Sequence, residues 1–163
     1  MASSDSRTQT LVDRAEVAEV LFRFAASFDE KDWQALCECL DEAVYCDYSS
    51  LRGVAPGTVT REEYVEWRIT ALDKLVMQHD LTNLRVRIDG ESAGVQCNFV
   101  IRRFKSSPNS QDFFHSYGRY LFRLVRRQTD WRISGVTQIV TKNRGNPEIH
   151  GGTAKVKKPA LPQ

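Results

Sequence analysis

NLRVRIDGESAGVQCNFVIRRF, Asn83 to Phe104, decides the fold. Apolar and polar residues alternate along both halves, the period of strands with one buried face. Between the halves lies Asp89-Gly90-Glu91-Ser92, which carries a turn glycine, so the stretch reads as a β-hairpin. A second pair follows: HSYGRYLFRLVRR (115–127) and WRISGVTQIVT (131–141) flank Gln128-Thr129-Asp130.

Upstream the period changes to that of a helix. From Asp13 to Asp29 the apolar positions are Val17, Val20, Leu21, Phe24, Ala25 and Phe28. A shorter helix follows, with Asp32 as N-cap and Trp33, Leu36 and Leu40 on its apolar side. AVYCDYSS reads as a strand and RGVAPGT as a loop. A third helix opens at Thr60 with a capping box to Glu63, and Val65, Ile69, Leu72 and Val76 form its expected buried stripe. Helices come first and strands last. The expectation is an α+β domain: a strongly curved, mostly antiparallel sheet, rolled into a cone-shaped barrel on three N-terminal helices. Residues 1–10 read as a flexible tail, 11–144 as one domain, and 145–163 as a Gly/Pro/Lys-containing tail that could act as a lid.

Composition narrows the function. At 163 residues the chain can bury a core without disulfide or metal. A net charge of +2 is too small to argue for nucleic acid, and the pairs Arg102-Arg103 and Arg126-Arg127 read as solvated strand ends. No run approaches the length of a membrane span. Cys37 and Cys39 would point about 200° apart on a helix, and no cysteine pair has zinc-ligand spacing. The polar start, MASSDSRTQT, and the free thiols suggest a cytoplasmic protein that binds no metal.

One residue breaks the helical pattern. In SFDEKDW, Ser27 to Trp33, Asp29 lies inside the apolar arc of the first helix, while Glu16, Glu19, Arg23 and Glu30 lie opposite. A buried carboxylate must be hydrogen-bonded or paired. Asp29 either caps a backbone amide at the turn or meets His79, whose tautomer it would fix and whose basicity it would raise. Tyr48 shares a strand face with Cys46 and Val44 and could polarise a carbonyl or hold a water. His115, Tyr117 and Arg119 alternate along one strand and share a face, either at a pocket mouth or on an outer surface. His150 reads as an inert tail residue.

Taken in order, Ser27 to Trp33, Asp47-Tyr48, Gln78-His79 and Trp131-Arg132-Ile133-Ser134-Gly135 resemble the scytalone dehydratases. These belong to the SnoaL-like, or nuclear-transport-factor-two-like, superfamily. The likeness covers about residues 11–142. It implies that Asp29 orients His79, that His79 takes a proton α to a carbonyl, and that Tyr48 holds a water or the carbonyl. The implied activity is a dehydratase-like lyase without a cofactor, acting on a small cyclic or aromatic-derived hydroxy-ketone. An isomerase or cyclase using the same base, or a non-catalytic binding module, are the alternatives. Substrate contacts are expected from Phe24, Phe28, Phe104, His115, Tyr117 and Arg119. The sequence departs from the family at Phe28, where the relatives carry the first of two tyrosines. It departs again at Arg103-Phe104, near their second histidine.

Two further expectations follow. Strand edges need covering, so a homodimer or homotrimer is expected. Strict alternation puts His79 on a face with Leu81 and Asn83, not with Leu84, Val86 and Ile88. Either a bulge intervenes near Thr82-Asn83, or the second set faces an oligomer interface.

Overall fold

The computed structural model describes residues 4–107 and 110–150. Helix α1 (Ser4–Glu30) and helix α2 (Trp33–Cys39) lead into strand β1 (Leu40–Asp47) and the single turn α3 (Ser49–Arg52). Strand β2 (Gly57–Thr60) and helix α4 (Arg61–Leu72) come next. Then follow β3 (Val76–Asp89), β4 (Ser92–Ser107), β5 (Ser110–Arg127), β6 (Asp130–Gly145) and a 3-10 turn, Pro147–His150. The strands make one sheet, ordered β2-β1-β6-β5-β4-β3. Only β1 and β6 run parallel. The fold is α+β, with helices on a mostly antiparallel sheet.

Three expectations need correcting. The sheet is open: β2 and β3 are its two edges, so the barrel does not close. The stretch read as a loop contributes Gly57 and Thr58 to β2, because Val59 and Thr58 pair with Val44 and Tyr45. Helix α1 starts at Ser4, and its first turns carry helical side-chain bonds such as Gln9 Nε2 to Asp13 Oδ1 at 2.9 Å.

Local chemistry sets the helix ends. Lys31 takes a left-handed conformation (φ 61°), and the Asp32 amide donates back to the Ser27 carbonyl at 3.0 Å. That six-to-one closure ends α1 and turns the chain. Asp32 then caps α2 by accepting from the Ala35 amide at 2.9 Å. The Thr60–Glu63 capping box forms as expected. The buried face of α4 is Tyr64, Arg68 and Leu72, however. Ile69 and Val76 are exposed, and Val76 belongs to β3. The helix is rotated so that the large Tyr64 ring and the Arg68 stem enter the interior.

One face of the sheet meets the helices. Val95, Cys97, Phe99 and Ile101 of β4 and Tyr120, Phe122 and Leu124 of β5 are buried there. Phe24 packs edge-on against Phe28 at 5.1 Å and against Phe122 at 5.4 Å, joining α1 to the sheet. Such pairs add about 0.5–1.5 kcal/mol beyond their area. Of the basic strand ends, Arg126 and Arg127 are ion-paired, with Arg127 still largely exposed, while Arg103 is buried. Arg126 bonds Asp13 and lies over the Trp131 ring, and Arg127 grips both Asp41 oxygens at 2.9 and 2.6 Å. They pin β5 to α1 and β1.

A bulge resolves the alternation of β3. Thr82 pairs with Asn98 and Arg85 with Gln96, so two residues of β3 stand against Cys97 alone. Asn83 supplies the left-handed conformation (φ 56°). Before the bulge Met77 and His79 face the helices; after it Leu84, Val86 and Ile88 pack on the core. Asn83→Gly is expected to leave stability unchanged or raise it. Asn83→Ala should cost about 1–2 kcal/mol in urea unfolding, the cost of a Cβ in the left-handed region.

Candidate active site

The end of α1 and the start of β3 meet at Asp29. One carboxylate oxygen accepts the His79 backbone amide at 2.8 Å. The other lies 2.6 Å from His79 Nδ1. Asp29 meets the imidazole, and the backbone amide it satisfies is that of His79 itself rather than one at the turn, where Asp32 caps α2. An ionised carboxylate accepts only, so Nδ1 carries the proton and Nε2 keeps its lone pair. The ring is 6% exposed and Phe28 lies against it at 5.2 Å. Lys31 Nζ donates to the Phe28 carbonyl at 3.0 Å, closing the turn beneath the pair.

The net effect on His79 is opposite to the sequence expectation. Burial pulls its pKa below the ordinary 6.5. The bond and charge of Asp29 pull upward, and Arg103 and Lys31 add to the lowering. The imidazole is thus neutral at neutral pH, the form a general base requires.

Around it the helix-covered face carries polar groups from four further elements. Arg103 of β4 donates from Nη1 to Ser116 Oγ of β5 at 3.0 Å. Gln138 of β6 donates to Tyr120 Oη of β5 at 2.8 Å. Tyr48 follows β1, and its hydroxyl is 2.6 Å from that of Tyr64 on α4. Arg68 stacks over both rings, 4.2 Å from the Tyr48 centroid and 4.5 Å from that of Tyr64. Burial pushes the Tyr48 and Tyr64 phenols up, so both stay protonated. The Phe99 ring lies against Gly118, where an added Cβ would come within 2.9 Å of its tip.

The expected site residues divide between the two faces of the sheet. Asp29, His79, Phe24 and Phe28 come together, and Tyr48 enters the same interior without touching His79. Phe104, His115, Tyr117 and Arg119 do not join them. Alternation from the buried Arg103, Ser116 and Tyr120 turns these four to the opposite face, where His115 packs on Phe104 and Phe113. The expectation that they line one pocket with His79 is corrected. His150, expected to be inert, packs edge-on against Phe114 at 5.4 Å, beside the buried Ile149.

Tyr64, Arg68, Arg103, Tyr120 and Gln138 were not among the expected site residues. A signal for Arg103 existed: it continues the buried alternation Val95, Cys97, Phe99, Ile101. Tyr64, Arg68 and Leu72 are spaced by four, the alternative face of α4. Tyr120 likewise continues the buried alternation Leu124, Phe122, while Gln138, flanked by Thr137 and Ile139, carried no such signal. Among the described residues no group of three or more His, Cys, Asp or Glu is placed to hold a metal ion.

Residues 9–137 match the SnoaL-like domain. The chain belongs to the SnoaL-like family. It is 29% identical over 154 residues to the terrestric acid biosynthesis cluster protein E of Penicillium crustosum, covering 90% of this chain and 94% of that one. A shorter stretch of 53 residues is 34% identical to a scytalone dehydratase-like protein of Passalora fulva, covering 32% and 33% of the two chains. The crystal structure of a Kribbella flavida protein superposes with a TM-score of 0.79 at 22% identity, covering 83% of this chain and 95% of that one. The family thus includes scytalone dehydratase-like and biosynthesis-cluster proteins, and the helix-and-sheet arrangement is shared with solved relatives.

The His79 ring should titrate below 6.5 by NMR and move lower still in Asp29→Asn, which removes the two upward contributions. Folding stability follows with a definite sign. The unfolded imidazole protonates first, so stability falls as pH drops from about 6.5 to the lower folded value, and levels off below it. An unchanged titration in Asp29→Asn would reduce the contact to a backbone cap.

Proposed function

We propose that this protein is a cofactor-independent lyase of the dehydratase type, acting on a small cyclic or aromatic-derived hydroxy-ketone with His79 as general base. The observation that carries this reading is the two-point grip of Asp29 on His79, which leaves Nε2 as the free basic nitrogen. Nε2 would take the proton from the carbon α to the carbonyl. The released electron pair forms the new C=C bond through an enolate while the β C–O bond breaks. The imidazolium then returns its proton to the departing hydroxyl, which leaves as water. Atoms balance without oxidant or reductant.

Tyr48 supports the step as a donor to the carbonyl oxygen. Its pairing with Tyr64 leaves one phenolic proton free after the mutual bond is made. Tyr64 therefore supplies a second phenol, although Phe28 occupies the position where relatives carry one. Donors aimed at a developing enolate contribute strongly in a water-poor interior. The scytalone dehydratase-like relative points to the same reaction class.

One observation favours a second reading. Arg103 stands near the family's second histidine, and a guanidinium is a poor proton donor to a leaving group. An isomerase or cyclase using the same base needs no such donor. Product mass separates the two: lighter by one water for the lyase, unchanged for the isomerase or cyclase. For either reaction, His79→Gln and Asp29→Asn should lower kcat by about 10²–10⁴, the usual size of general-base catalysis. Turnover that survives both substitutions would remove His79 from the reaction. The absence of turnover with any hydroxy-ketone tested would favour a binding module. A homodimer or homotrimer of cytoplasmic location remains part of this proposal, and light scattering reads the oligomer directly.

A further inference from the structure

Two guanidiniums in the interior have no carboxylate. Arg68 and Arg103 are 6% and 5% exposed. Every ion pair among the described residues involves other arginines or His79. The Nε of each is fully buried with no hydrogen-bond partner. Arg103 has Ser116 Oγ at Nη1 and the Phe114 ring at 5.8 Å. The Arg68 contacts are the faces of Tyr48 and Tyr64. Neither set supplies a negative charge.

The surroundings give neither a formal negative charge, although against burial Tyr48 and Tyr64 hold the Arg68 pKa above its ordinary value. The Tyr48, Tyr64 and Tyr120 phenols are all pushed up by burial and remain uncharged. Asp29 is committed to His79. Burial draws Arg103 down to about 10, with Tyr120 opposing and Arg52 and Arg68 adding repulsion. A buried cation without a partner is costly, by several kcal/mol per ion even after relaxation. The chain holds two, with unused N–H donors, on the face that carries the candidate base.

We infer that the site takes an organic monoanion whose charge is shared by two oxygens, a carboxylate or the enolate of an acidic 1,3-dicarbonyl, and that Arg68 and Arg103 bind it. The planar guanidinium suits two oxygens better than an ammonium would. Gln138 Oε1, also buried without a partner, is an acceptor and gives orientation rather than charge. This assigns the substrate class of the proposed site, and so rests on that reading of its location. It does not depend on elimination, isomerisation or any other fate of the bound molecule.

Binding to the intact protein at pH 7 tests it by calorimetry. The probes are benzoate against benzamide, and the 1,3-cyclohexanedione anion against cyclohexanone. A hydrogen bond to a charged group contributes about 1.5–3 kcal/mol, so each anion should bind at least about tenfold more tightly than its neutral partner. The pair with the larger ratio identifies carboxylate or enolate. Arg103→Met and Arg68→Met should each reduce that ratio severalfold while leaving the neutral probes unaffected. Arg103→Lys should recover part of it. In thermal unfolding without ligand, the methionine variants should melt at or above the parent, because each removes an unpaired buried charge. His79→Gln should keep the anion preference, so loss of turnover in that variant tests the base and leaves this inference standing. Equal binding of anions and neutral probes by the parent would overturn it. So would methionine variants that fold and retain the preference, or that melt well below the parent, which would make the arginines structural.

Discussion

The grip of Asp29 on residue 79 holds this protein's chemistry and part of its fold together. One carboxylate accepts the backbone amide and the ring of the same residue, fifty positions away in sequence. The backbone bond fixes where β3 begins against the end of α1. The ring bond fixes which imidazole nitrogen is basic. Neither can shift without the other, so the register of the first sheet edge and the orientation of the base are one constraint. Lys31, in its left-handed turn, serves the same end by stopping α1 immediately after the carboxylate.

The interior opposite α1 is built on a different principle. Aromatic rings and guanidiniums share the space, and the rings remain neutral because burial penalises phenolate. Arg68 shows how a cation enters such a place: its stem crosses apolar surface and its plane stacks on two rings. The resulting region is apolar in area and positive in charge. A neutral core would have been easier to fold, and the departure from it is concentrated on the face that holds His79.

Much of this was legible in the sequence. Period two after residue 83 and period 3.6 before it gave the α+β class, and a carboxylate inside an apolar arc marked Asp29. The unexpected requirement for a bulge near Thr82-Asn83 came from parity alone, and Asn83 makes it. Other features were hidden for physical reasons. Which of two faces of α4 is buried depends on what it meets, and hydropathy alone favours Val65-Ile69-Leu72 over the Tyr64-Arg68-Leu72 face that is buried. Whether His115, Tyr117 and Arg119 faced in or out depended on the parity of β5, which only pairing with Ser116 and Tyr120 on the other face resolves. Closure of the sheet was a matter of strand edges, and sequence periodicity carries no information on those.

The bulge at Asn83 also divides β3 into two reading frames. Before it, odd-numbered residues face the helices and include His79; after it, even-numbered residues do so and only fill space. Loss of one residue there would remove the bulge and restore strict alternation, with His79 before it and Leu84, Val86 and Ile88 after it still on the helix-covered face. Substitutions confined to one frame leave the other's facing intact, so the packing half of the strand can drift without moving the base.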